Sequence, residues 1–213
     1  YLMGDIFDFW FEYHRVVPRG FTRVLARLAE LSARGVRVVL FTGNHDMWCY
    51  DYLAQECGVE IVRNPRVVEL DGVKVHLAHG DNLNISGQPM LKLMNTIFRS
   101  SVARTLFSWL VHPDLALKFG LWWSGKSRKS HNKTLMGVDN LRPLVEYARE
   151  HNLKNGDVEH YIFGHMHLPH YVREERFEVL FLGDWCGAEA VYATMNDDNN
   201  LKLNTFAIDE TVS

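Results

Sequence analysis

A short apolar run that closes on glycine and then on Asp, Asn or His recurs along this chain, and it limits what the chain can fold into. The clearest case is Val36-Arg-Val-Val-Leu40 running into Phe41-Thr-Gly-Asn-His-Asp46. A short run rich in β-branched residues reads as a buried strand. Gly43 lets the backbone turn where that strand ends, and the next three side chains are an amide, an imidazole and a carboxylate. They lie at the carboxyl edge of a sheet, where open α/β sheets bind their ligands. The same arrangement returns at Gly4-Asp5, His79-Gly80-Asp81 and Gly164-His165-Met166-His167. Any one of these could be a polar turn. Four strand ends carrying the same donor types are expected to form one site.

Between these points the chain alternates early and turns β-rich late. Pro18 and the apolar positions Phe21, Val24, Leu25, Leu28 and Leu31 predict a helix over 18–34, stopped at Gly35. A second helix is expected over 47–57, ended by Gly58, with a short strand over 59–62. Strands 67–70 and 73–77 flank Asp71-Gly72, the strongest hairpin signal present. Asp139 is expected to cap a helix carrying Leu141, Leu144, Val145 and Ala148, followed by strands over 160–163, 171–173, 177–182, 188–195 and 201–208. Early alternation and late strands suggest two sheets flanked by helices. At 213 residues this suits one domain with an insertion.

The insertion is residues 82–135, where apolar residues fall in helical clusters: Met90 to Phe98, Val102 to Leu110, then Leu115 to Trp123. Two or three helices are expected here, forming a lid, with the core at 1–81 and 136–213. Eight Lys or Arg stand in that segment against Asp114 alone, whereas the rest of the chain carries a net charge of −10. A basic block within an acidic body points to an anionic partner. Its apolar stretch Phe119-Gly-Leu-Trp-Trp123 leads directly into Lys126-Ser-Arg128-Lys129, a combination suited to a ligand with both acyl chains and phosphates, or to a membrane surface. Cys49, Cys57 and Cys186 have no metal-binding spacing and fit a reducing compartment. No apolar run is long enough to predict a transmembrane helix.

Asp, Asn and His offer hard oxygen and borderline nitrogen ligands, the set that suits Mn²⁺, Fe²⁺ or Zn²⁺. His165 and His167, two apart, are expected to share one face of a strand and reach two adjacent ions. A pair of ions roughly 3.5–4 Å apart is a standard device for phosphoester hydrolysis.

The ordered set Gly4-Asp5, Gly43-Asn44-His45-Asp46, His79-Gly80 and Gly164-His165-x-His167 resembles the calcineurin-like metallophosphoesterases across nearly the whole chain. That resemblance implies a four-layer αββα sandwich of α/β (α+β) class with the helical lid inserted, and two divalent ions, Mn²⁺ above all. It implies that Asp5 bridges the ions, that Asn44, His79 and His165 complete one site, and that His167 serves the other. His45 and Asp46 become the candidate catalytic residues, His45 contacting the phosphate and protonating the leaving group. The family opens with Asp-x-His on its first strand. None precedes Asp5, and the chain begins at Tyr1 on an apolar strand end, so that strand is expected upstream. Gly4-Asp-Ile-Phe-Asp-Phe-Trp10, His79-Gly-Asp81 and the basic apolar insertion further resemble the UDP-2,3-diacylglucosamine hydrolases of lipid A synthesis. These imply a nucleotide-linked lipid substrate and a place on the cytoplasmic face of the inner membrane. Lys126, Arg128, Lys129 and Lys133 are then candidates for the diphosphate, with Asn132 and Asp81 for the sugar or uridine.

Two alternatives stand beside this reading. One is another phosphoesterase of the same fold, a phosphodiesterase, nucleotidase or nuclease; the lid is more apolar than a nucleic-acid channel requires. The other is a non-catalytic scaffold that binds partners through the lid.

Overall fold

The computed structural model describes residues 1–83, 87, 89–133, 137–196 and 200–208, without the side chains of 126–133. It divides into two compact units, one of Tyr1–Asn64 with Asn84–Leu135 and one of Pro65–Leu83 with Met136–Ser213.

The first unit is built on parallel pairing. Leu2 bridges to Leu40, its N–H donating to the Val39 carbonyl at 2.8 Å while the Phe41 N–H donates to the Leu2 carbonyl at 2.9 Å. Strand β1 (Val39–Phe41) pairs in parallel with β2 (Glu60–Val62). Parallel neighbours need crossovers, and helices α1 (Thr22–Ala33) and α2 (Tyr52–Cys57) supply them. Leu28 of α1 and Leu53 and Cys57 of α2 bury against Val38, Leu40 and Val59, with Phe7 and Trp10 in the same core.

Both helices begin later than their periodicity predicts. Gly20 sits at φ +100°, a left-handed conformation that no helix tolerates, so α1 starts at Thr22 rather than at Pro18. The start of α2 is set by Glu12. This buried carboxylate accepts the Tyr50, Asp51 and Tyr52 N–H groups at 2.7, 3.0 and 3.4 Å and the Trp10 indole N–H at 2.9 Å. Backbone donors held by a carboxylate lie at a helix start rather than within one. Residues 47–51 therefore precede the helix, with Trp48 bridged to Phe11.

The same unit holds three lid helices, α3 (Pro89–Phe98), α4 (Ser101–Leu110) and α5 (Pro113–Lys133). An aromatic seat from 9–13 and 48–50 receives each of them. The Trp48 indole donates to the Phe98 carbonyl at 3.0 Å, Phe11 packs on Phe107, and the Tyr13 hydroxyl donates to the Val111 carbonyl at 3.0 Å. Arg104 lies 4.0 Å over the Tyr50 ring. On α5, a Cβ at Gly120 would come within 2.3 Å of the Phe9 ring, so only glycine lets helix and ring approach this closely.

The second unit is a five-stranded sheet in the order β3 (Arg66–Leu70), β4 (Val73–Ala78), β5 (His160–Phe163), β7 (Glu178–Phe181), β6 (His170–Arg173). Its three inner strands, β4, β5 and β7, run parallel. Asp71 and Gly72 both take positive φ, 49° and 86°, as a two-residue hairpin between β3 and β4 requires. Leu144, Val145 and Ala148 of α6 (Arg142–Asn155) bury against Tyr161, Phe163, Val179 and Phe181. Asp139 lies inside a 3₁₀ turn, Val138–Leu141, that leads into α6, and it does not cap the helix. A hairpin, β8 (Glu189–Met195) with β9 (Leu201–Ala207), completes the described chain; most of its turn, 197–199, lies outside the described residues. Each unit thus contributes a sheet with helices packed upon it, the layer pairs from which an αββα sandwich is made. Among the described residues, no helix is long and apolar enough to cross a membrane.

Under α6 sits a buried His–Tyr cluster. His76, 1% exposed, stacks on Tyr161 and meets the Tyr147 hydroxyl at 3.2 Å, and His151 Nδ1 meets the Tyr161 hydroxyl at 3.0 Å. Burial, reinforced by His151, pulls the His76 pKa down to about 4. The unfolded chain therefore takes up a proton near pH 6.5 that the folded chain refuses until about pH 4. Stability is full above that window, falls as pH drops through it, and levels off below it. About 2 kcal/mol is lost by pH 5 on this account. Urea unfolding at pH 7 and pH 5 is expected to show that loss in the native protein and a much smaller one in His76→Gln.

Candidate metal centre

The strand ends of the first unit are locked to each other by two reciprocal carboxylates. Pairing of Leu2 with Leu40 brings 3–6 level with 42–46. Asp5 Oδ1 accepts the His45 N–H at 2.9 Å, while Asp46 Oδ1 accepts the Gly43 N–H at 2.6 Å and its Oδ2 the Ile6 N–H at 2.8 Å. Each loop's carboxylate thus holds the other loop's backbone. Asn44 and His45 are half-buried between these anchors. His45 is fixed twice more, its Nδ1 meeting the Asp8 carbonyl at 3.0 Å and its own carbonyl accepting the Trp10 N–H at 2.9 Å. With the proton placed on Nδ1 by that carbonyl, the ring's lone pair lies on Nε2. Asp46 is completely buried, with both oxygens accepting backbone amides, and in this position it ties the two loops together.

In the second unit β4 and β5 end level, Ala78 opposite Phe163, so His79 and Gly164 leave the sheet side by side. His79 is buried, and its ring lies 5.1 Å from that of His165, edge to face. Gly80, at φ +114°, takes a conformation that favours glycine, and a Cβ there would press on Leu144 at 3.2 Å. His165 and His167 do not share a strand face as their spacing predicts. Strand β5 stops at Phe163, and the two histidines stand in a tight turn at φ +60° and +52°, with the Met166 N–H donating to the Gly164 carbonyl at 2.6 Å. Asp81 follows Gly80 and is half-buried.

Backbone strain marks the same residues. Among the described residues four non-glycines take positive φ: Asp71 in its hairpin turn, and Asp5, His165 and His167. Such conformations cost on the order of 1–3 kcal/mol each and persist at sites where the surroundings enforce them. A buried imidazole, His79, and a half-buried one, His165, in edge contact offer paired nitrogen donors of the kind that suits a divalent cation. Carboxylate, amide and paired imidazole donors at enforced positions fit divalent metal ions.

The calcineurin-like phosphoesterase profile matches residues 1–169. The chain belongs to that family. Its members being metallophosphoesterases, the chain is a metal-dependent hydrolase of phosphoric esters or anhydrides, and its cofactors are divalent metal ions. Curated relatives include the UDP-2,3-diacylglucosamine hydrolase of Porphyromonas gingivalis, 42% identical over 87% of this chain and 75% of that protein. The proteins of the same name from Haemophilus ducreyi and Stutzerimonas stutzeri are 26% and 28% identical, covering 87% and 98% of this chain and 76% and 85% of theirs. Among solved structures, an archaeal phosphodiesterase aligns with 84% of this chain and 74% of its own at 11% identity and a TM-score of 0.42.

The phosphoesterase residues predicted from sequence thus fall into two sets, Asp5, Asn44, His45 and Asp46 in the first unit and His79, Asp81, His165 and His167 in the second. Lys126, Arg128, Lys129, Asn132 and Lys133 belong to α5, and their side chains lie outside the described residues. Sequence reading passed over Glu12 and Asp184. The latter follows Phe181-Leu-Gly183, the same apolar-run-then-glycine signal as Gly4-Asp5.

Asp46→Ala is expected to lower stability by about 2–4 kcal/mol in urea unfolding, because two backbone donors lose their acceptor. Asp46→Asn, which keeps one acceptor oxygen, is expected to lose less.

Proposed function

We propose that this phosphoesterase hydrolyses the diphosphate of UDP-2,3-diacylglucosamine, giving UMP and 2,3-diacylglucosamine 1-phosphate, a step of lipid A synthesis. The observation that carries this reading is an apolar lid seated on the site loops. Each lid helix leaves a stripe exposed: Met90, Leu93 and Ile97 on α3, Val102, Leu106, Trp109 and Leu110 on α4, Leu115, Phe119 and Trp122 on α5. Met90 is 70% exposed, Leu110 80% and Trp109 86%, a large apolar area to leave in water. Acyl chains would cover such stripes, and the relatives bearing that substrate's name support the choice.

The divalent ions, with Mn²⁺ the natural candidate for this donor set, supply an activated water and neutralise charge developing on the phosphate. Asp5, Asn44, His79, His165 and His167 are assigned to hold them. His45, its Nδ1 held by the Asp8 carbonyl, is assigned to donate a proton from Nε2 to the departing oxygen. Lys126, Arg128, Lys129 and Lys133 are assigned to the diphosphate, Asn132 and Asp81 to sugar or uridine. The basic, apolar lid is also the surface we assign to the cytoplasmic face of the inner membrane.

The test is Mn²⁺-dependent UMP release from UDP-2,3-diacylglucosamine, set beside bis-p-nitrophenyl phosphate and single-stranded DNA. Strong preference for the diacyl substrate is expected. Turnover of the generic diester or DNA alone would replace the substrate assignment with a phosphodiesterase or nuclease, and no turnover of any would favour a scaffold. His79→Ala and Asn44→Ala are each expected to abolish hydrolysis while urea unfolding stays near that of the native protein. Retained turnover in both would overturn the metal assignment.

A further inference from the structure

Three parallel neighbours in the second unit, β4, β5 and β7, end at one edge of the sheet. The first delivers His79 and the second His165 and His167. The third runs through Leu182, whose N–H donates to the Phe163 carbonyl at 2.9 Å, to Gly183 and Asp184. A Cβ on Gly183 would meet Pro169 Cγ at 2.7 Å and Val191 at 3.2 Å, so glycine is what allows the end of this strand to close against the loop that carries His167. There Asp184 Oδ2 lies 3.2 Å from His167 Nδ1, and the carboxylate is itself held, Oδ1 accepting the Cys186 N–H at 3.2 Å.

We propose that Asp184 is a positioning residue for His167: its carboxylate holds the proton on Nδ1, so that the ring presents the Nε2 lone pair to a metal ion. Neutral imidazole has two tautomers, and the hydrogen bond at one nitrogen decides which lone pair the other offers. A carboxylate at Nδ1 also restrains rotation of the ring, which matters for a side chain that is not buried. His167 stands in a left-handed turn at φ +52°, and the carboxylate that meets its ring stands just past the end of β7. This inference rests on the assignment of His167 as a metal ligand.

The experiment is Mn²⁺ titration of the metal-stripped protein, followed by the electron paramagnetic resonance of free Mn²⁺, for the native protein, Asp184→Ala, Asp184→Asn, His167→Ala and the Asp184→Ala/His167→Ala double variant. Asp184→Ala is expected to weaken Mn²⁺ binding 10- to 100-fold, the range typical of carboxylates that orient metal-bound histidines. Asp184→Asn, which keeps an acceptor oxygen, is expected to recover part of that loss. The double variant should bind no more weakly than His167→Ala alone, because Asp184 acts only through the ring. Thermal melting of each metal-stripped variant separates loss of affinity from loss of fold. Unchanged affinity in both Asp184 variants would overturn the proposal, and so would additive losses in the double variant, which would make Asp184 an independent ligand. If the native protein bound no Mn²⁺, the metal assignment itself would fall, an outcome distinct from native binding that Asp184→Ala leaves untouched.

Discussion

Asp46 is a carboxylate with no exposure to water, and the placement of the first unit's candidate site residues depends on how it is satisfied. Transferring a charged group out of water is costly unless hydrogen bonds replace its hydration. Here the replacements are backbone amides from two chain segments, Gly43 on its own loop and Ile6 on the neighbouring one. That requirement ties the loop after Leu2 to the loop after β1, and Asp5 returns the same service to the His45 amide. Neither loop can shift without exposing an unpaired donor or stranding a buried charge. The donors Asp5 and Asn44 are therefore placed by parallel pairing of Leu2 with Leu40 beneath them, rather than by the loops' own preferences.

The lid reaches this clasp through aromatic rings. Phe9 belongs to the loop whose Asp8 carbonyl orients His45, and Gly120 of α5 lies against its ring. Phe9 packs on Trp48, which holds the end of α3 through the Phe98 carbonyl. Glycine in the middle of a helix costs up to about 1 kcal/mol relative to alanine, so its presence in α5 is explained by the approach it permits. A lid docked in this way has a defined inner contact and an outer apolar face left open.

Much of this was legible in the sequence. β-branched runs located the strands, Asp71-Gly72 located the hairpin, and the glycine-then-donor runs proved to follow strand ends, as after β1, β4 and β5. What stayed hidden depended on partners distant in the chain. Nothing near Met47 announces that Glu12 will take the amides of Tyr50, Asp51 and Tyr52 and delay α2. Asp46 reads as a site carboxylate until its two amide donors are seen. The spacing of His165 and His167 suggested a strand, but β5 ends at Phe163 and a turn of left-handed residues replaces it. Asp184 carried the right local signal and went unread because its partner lies seventeen residues earlier, across the sheet edge.

Left-handed backbone at Asp5, His165 and His167 places strain at the residues assigned to metal ions. A chain folding without regard to ligand would put glycine at such positions, as it does at Gly20, Gly35 and Gly58. Keeping a carboxylate and two imidazoles there requires surroundings that leave no alternative. Those surroundings can be named: the His45 amide on Asp5, and the Gly183 contact with Pro169 behind His167. Donors already held in place lose little conformational freedom when an ion arrives, so the folding free energy that enforces the strain reappears as affinity. On this argument Gly183, by letting the end of its strand close against Pro169, holds the backbone behind His167 without carrying a donor atom itself.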